Sequence, residues 1–106
     1  MLIIVSDMHL TDGTLAPPVS KESFQLFVTE VEKIVNNSKN KVELIFLGDI
    51  FDLLRSKHWL GQRIEEKWVE RKVRPWSLTN GGPVGTVLQN IFDGIIKNYG
   101  EYFKKL

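Results

Sequence analysis

Two short stretches of this 106-residue chain carry residue types that ligate metals: Asp7-Met8-His9 and Gly48-Asp49-Ile50-Phe51-Asp52. An aspartate and a histidine two residues apart can converge on one cation when the backbone between them is extended, and carboxylate oxygen with imidazole nitrogen suits a divalent ion. In the second stretch Gly48 lets the chain turn sharply and approach closely, Asp49 faces the same crevice as Asp7, and Asp52 returns one turn later. Taken singly, each residue has a plainer role. A lone aspartate after a strand is most often a cap or turn former, and a lone loop histidine is more often a surface or hydrogen-bonded residue than a ligand. Together they are different, because three carboxylates gathered with an imidazole in one small volume repel one another unless a divalent cation is shared among them. The chain has no cysteine, so a metal would have to sit on Asp, His, Asn or Glu.

For the two stretches to meet, they must lie at the carboxyl ends of neighbouring parallel strands, where an open α/β sheet presents its crevice. The flanking sequence supplies such strands. Leu2 to Val5 is an unbroken apolar run with β-branched residues, ending at Ser6, and reads as a strand buried on both faces. Thr11 to Ser20 is rich in Gly, Pro and Thr and reads as a loop, with Ser20 or Ser23 as the cap of a following helix. In that helix Phe24, Phe27, Val28, Val31, Ile34 and Val35 recur at steps of three and four, opposite Glu30, Glu32 and Lys33, until Asn36-Asn37-Ser38 ends it. Val42 and Leu44 to Leu47 give a second buried strand closed by Gly48 and Asp49. Strand, helix, strand is a right-handed βαβ unit of the α/β class.

Beyond Asp52 the pattern changes, and residues 55–82 read as an insertion within a single domain. Leu60, Ile64 and Trp68 lie four apart, which predicts a short helix. Between Arg55 and Arg74 seven basic residues face three acids, interleaved with Trp59 and Trp68. Such a segment suits a lid over an anionic substrate or a nucleic-acid contact; it equally suits a solvated face with indoles packed inward, which the Leu60, Ile64, Trp68 stripe favours. His58 reads as an ordinary loop residue. Gly81-Gly82-Pro83-Val84-Gly85 lacks the strand, the Lys-Ser/Thr pair and the glycine order of a phosphate loop, and reads as a helix-starting turn. Over residues 83–104 an apolar stripe from Val84 to Phe103 predicts a helix that needs a partner surface.

The pair of blocks, Asp7-x-His9 and Gly48-Asp49-x-x-Asp52, with Val5-Ser6 before and Leu10 after the first and one helix between them, resembles the first two signature blocks of the calcineurin-like metallophosphoesterases. The resemblance covers mainly residues 1–55. It implies the N-terminal βαβ portion of a four-layer α/β/β/α sandwich. It also implies hydrolysis of a phosphate ester or anhydride by a water activated between two divalent cations, manganese, iron, zinc or magnesium. By the same resemblance Asp7 and His9 hold the first metal, Asp49 bridges both, and Asp52, the candidate catalytic residue, orients a histidine of the next block, an Asn-His pair. The chain contains two histidines, His9 and His58, and no such pair. It therefore reads as part of a longer enzyme, binding at most one metal weakly and nearly inactive alone. Leu53 stands where the protein phosphatases of this superfamily have Arg, which argues against a protein substrate and leaves nucleotide, lipid-linked pyrophosphate and nucleic-acid substrates open.

The net charge of +1 gives no global reason to expect nucleic acid or an anionic membrane as partner. The apolar start is cut off by Asp7 and His9, and no stretch approaches the ~20 apolar residues of a membrane span, so the expectation is a cytoplasmic protein. A non-catalytic nucleic-acid or protein binding module built on the basic insertion is the rival reading. A receiver-type signalling domain would need five βα repeats, for which the chain has no room. Two parallel strands cannot complete a sheet, so self-association is expected, with the Val84 to Phe103 helix against a neighbour.

Overall fold

The computed structural model describes residues 1–60, 62–69, 75 and 82–106, the main chain alone for 62–64, 67–69, 82 and 83. Strand β1 (Leu2–Ser6) leads through a loop into helix α1 (Lys21–Asn37) and back into strand β2 (Glu43–Leu47). The strands pair in parallel with Ile4 opposite Ile45 and Ser6 opposite Leu47. A single 3₁₀ turn (Lys57–Trp59) precedes a hairpin of β3 (Gln62–Ile64) and β4 (Lys67–Val69), and helix α2 (Gly82–Phe103) follows. Among the described residues the chain is thus a small α/β unit of two parallel strands and two main helices, with a separate antiparallel hairpin.

Local chemistry explains α1. The Ser20 hydroxyl accepts the backbone N–H of Ser23 at 3.1 Å, satisfying a helix-end donor. Backbone and Ser20 hydrogen bonds, in that order, hold the Glu22 carboxyl below its ordinary range, as suits an acid in the first turn. Phe24, Val28 and Val31 form the buried stripe. Helix α2 answers it with Val87, Ile91, Ile95 and Tyr99 at steps of four, all buried. Phe24 is the junction, with Tyr99 edge-on at 5.4 Å and Phe103 tilted at 5.1 Å. Val87, Ile91, Ile95 and Tyr99 are thus buried within the chain, against α1 and the segment after β2, while Phe92 and Ile96 of the same predicted stripe stay exposed.

Two expectations change. The strands are covered on one face only. Val5 and Phe46 pack against the core, while Leu2, Ile4, Ile45 and Leu47 on the opposite face are 38 to 57% exposed. A continuous apolar run signals two apolar faces without saying that both are covered. The short helix read from Leu60, Ile64 and Trp68 is instead the β3–β4 hairpin, pairing Ile64 with Lys67 around Glu65 and Glu66. Both turn residues have positive φ, 47° and 65°, the conformation of a two-residue hairpin loop that twists with its strands. A spacing of four fits a period of two as well as one of 3.6, so that stripe was ambiguous. Trp59 does pack inward, and its indole N–H donates to the Leu53 carbonyl at 2.7 Å. Trp76 and the basic run Arg71, Lys72 and Arg74 lie outside the described residues. Among the described residues no helix is long and apolar enough to cross a membrane.

Candidate metal centre

The paired strands part after Ser6 and Leu47 and rejoin a few residues on. His9 N–H donates to the Asp49 carbonyl at 3.0 Å, Leu10 N–H to Ile50 at 2.8 Å, and Asp52 N–H to Leu10 at 2.9 Å. Between the two pairings the chain alternates its anchors and its polar groups. Met8, Leu10 and Ile50 are buried, while Asp7 and Asp49 are exposed and His9 is half-buried. Ligand atoms of Asp7, His9 and Asp49 lie within 4.8 Å of one another.

This convergence does not use the extended backbone the spacing suggests. Asp7 and His9 have φ of 54° and 49°, left-handed values that side-chain-bearing residues adopt at a cost. Gly48, at φ 66°, makes the matching turn on the other strand. A Cβ at Gly48 would stand 3.3 Å from Asp7 Oδ1, so a side chain there would crowd the first ligand as well as strain the dihedral.

Asp52 stands beside the cluster rather than in it. Its Oδ1 accepts the backbone N–H groups of Leu54 and Arg55, each at 3.0 Å. Its Oδ2 lies 3.8 Å from His9 Nδ1 and 3.5 Å from Arg55 Nε, the first too long for a hydrogen bond and short enough for electrostatic attraction. Two carboxylates and an imidazole are a donor set that fits a divalent cation such as manganese, iron or zinc. Among the described residues no second group of three such donors occurs. The other histidine, His58, sits 3.9 Å from Asp12 instead.

Asp12 belongs to a buried network that the sequence reading passed over as loop. Its Oδ2 accepts the Ser56 hydroxyl, and its Oδ1 accepts both the N–H and the hydroxyl of Thr14, at 3.0 and 2.7 Å. Lys57 N–H donates to the Thr14 hydroxyl and His58 N–H to the Ser56 hydroxyl, at 2.9 and 3.1 Å. Gly94 of α2 meets this loop so closely that a Cβ there would be 2.7 Å from Asp12 Cβ. The network ties the loop after the first ligand block to the segment after the second. The signal in the sequence was Asp12-Gly13-Thr14, an acid two residues before a hydroxyl, the pattern of an Asx turn.

Beside the cluster runs an open groove of about 390 Å³. Among the described residues it is lined by His9, Asp49 and Asp52 together with Phe51, Leu53, Leu54, Pro75 and Leu88. Compared with known proteins, the chain matches no family model, no curated protein and no solved structure.

Proposed function

We propose that this chain carries the first half of the two-metal centre of a metallophosphoesterase, an enzyme hydrolysing a phosphate mono- or diester or a pyrophosphate. In this reading the βαβ unit of β1, α1 and β2 is the N-terminal portion of a four-layer sandwich. The observation that carries it is the convergence of Asp7, His9 and Asp49 within 4.8 Å at the carboxyl ends of two parallel strands. Left-handed backbone at two of the three supports it, because strain of this kind concentrates at functional sites.

Asp7 and His9 are the ligands of the first cation, and Asp49 is the ligand shared with a second. The Asp52 carboxylate beside Nδ1 of His9 favours the tautomer protonated there, leaving Nε2 to ligate. When bound, the divalent cations neutralise phosphoryl oxygens and lower the pKa of the attacking water. The chain has one histidine at the cluster and its second against Asp12, so the further donors a complete second site needs are not supplied by imidazole here.

Manganese titration followed by calorimetry tests the reading. One manganese per chain is expected, with binding lost in His9→Ala, and turnover of a chromogenic phosphodiester should be slow even with manganese in excess. A chain that binds no divalent cation at millimolar concentration defeats the proposal.

A further inference from the structure

The groove next to the candidate metal centre is lined by three ionisable side chains and, among the described residues, otherwise by apolar ones that partly face water. Leu54 is 69% exposed and Phe51 39%. One exposed leucine is ordinary, but Leu54 stands with Phe51 beside the candidate ligands and its backbone is hydrogen-bonded. Its N–H donates to Asp52 Oδ1, and the carbonyl of the preceding Leu53 accepts the buried Trp59 indole. The Phe51 ring is fixed edge-on against Phe92 at 5.7 Å. Exposed apolar side chains thus stand beside three ionisable ones. Among the described residues the side chains that line the groove are apolar apart from His9, Asp49 and Asp52.

We infer that the site takes phosphoesters whose organic group is an aliphatic chain rather than a nucleoside or a sugar. The phosphate lies at Asp7, His9 and Asp49, and the chain runs along Phe51, Leu54 and Leu88. This inference rests on the metallophosphoesterase reading, which supplies the cation for the phosphate. A mostly apolar groove with a few polar groups at one end is the ordinary form of a small-molecule site.

The test compares binding of hexylphosphonate, methylphosphonate and adenosine monophosphate to the whole chain with saturating manganese, by calorimetry. Hexylphosphonate should bind at least about tenfold tighter than methylphosphonate, since each buried methylene contributes severalfold. Leu54→Asn, at an exposed position where folding is not at stake, should collapse that ratio. Equal affinity for the two phosphonates overturns the inference and leaves the metal reading standing, and so does tighter binding of the nucleotide. A ratio that survives Leu54→Asn and disappears in Ile45→Ser would place the alkyl chain on the open sheet face, which also overturns it. Absence of manganese binding removes both readings together.

Discussion

The backbone N–H of His9 donates to the carbonyl oxygen of Asp49 across 3.0 Å, so two residues whose side chains face one position are also joined main chain to main chain. Ligand spacing is thereby set by the backbone ladder, and cation binding need not organise a loose loop. Asp49→Asn should abolish measurable manganese binding. Asp52→Asn, which changes a group beside His9 without touching the cluster, should weaken it by about 10- to 100-fold. Electron paramagnetic resonance of added manganese reads both, and an Asp52→Asn chain with unchanged affinity would show that Asp52 does not orient His9.

Gly48→Ala should damage stability and metal affinity together. The new methyl group must adopt a φ of 66° and stand 3.3 Å from Asp7 Oδ1. The left-handed conformation alone costs about 1–2 kcal/mol. Urea unfolding reports the first effect and manganese titration the second. An alanine variant with both parameters intact would mean that the turn relaxes freely.

Much of this arrangement was legible beforehand, and the reasons are local. Ser20 as cap, Phe24, Val28 and Val31 as a stripe, and Gly48 as a turn each express short-range rules of sterics and periodicity. Asp7, His9 and Asp49 could be grouped because strand ends in a parallel unit share one side. The left-handed backbone of Asp7 and His9 was not legible, because neither is a glycine and the conformation is imposed by tertiary pairing around Leu10 and Ile50. The hairpin turn at Glu65 and Glu66 escaped because neither residue is the glycine or asparagine that usually marks a turn with positive φ, and the four-residue spacing fitted helix and strand alike. Asp12 was missed because its partners Ser56 and Gly94 are distant in the chain, and separation of that kind leaves no periodic trace.

Asp12→Ala should destabilise the fold by about 3 kcal/mol, since Ser56 and Thr14 lose the carboxylate that takes up their buried hydroxyls. Its effect on manganese affinity should be smaller than that of Asp49→Asn. Denaturant midpoints with and without metal separate the two effects. Wild-type stability in Asp12→Ala would show that the network contributes nothing net.

Tyr99 makes stability depend on alkaline pH. Burial raises its hydroxyl above the ordinary 10.0, with Glu22 adding to the shift, and the hydroxyl donates to the Val19 carbonyl at 3.0 Å. The folded chain then holds this proton more tightly than the unfolded chain. The contribution is complete below pH 10 or so and is lost as pH rises through the folded value. Tyr99→Phe should lower stability near neutrality by about 1 kcal/mol and flatten that alkaline decline. Thermal unfolding scans from pH 8 to 11 decide it, and equal slopes for both proteins would refute the assignment.

The open sheet face should make sedimentation concentration-dependent. Leu2, Ile4, Ile45 and Leu47 form a contiguous apolar surface in water, and Ile45→Lys should shift the chain toward monomer. A wild-type chain that stays monomeric across a wide concentration range would speak against it.

Position 94 of α2 admits hydrogen and nothing larger, since Asp12 Cβ occupies the space a methyl group would take. Sliding α2 by one residue would press Asp93 or Ile95 into that slot, so the helix can seat on the loop in one way only. The loop that bears Asp7 and His9 is in this sense keyed by a notch far downstream. A helix on one side of the chain and a ligand loop on the other thus share a single fitting.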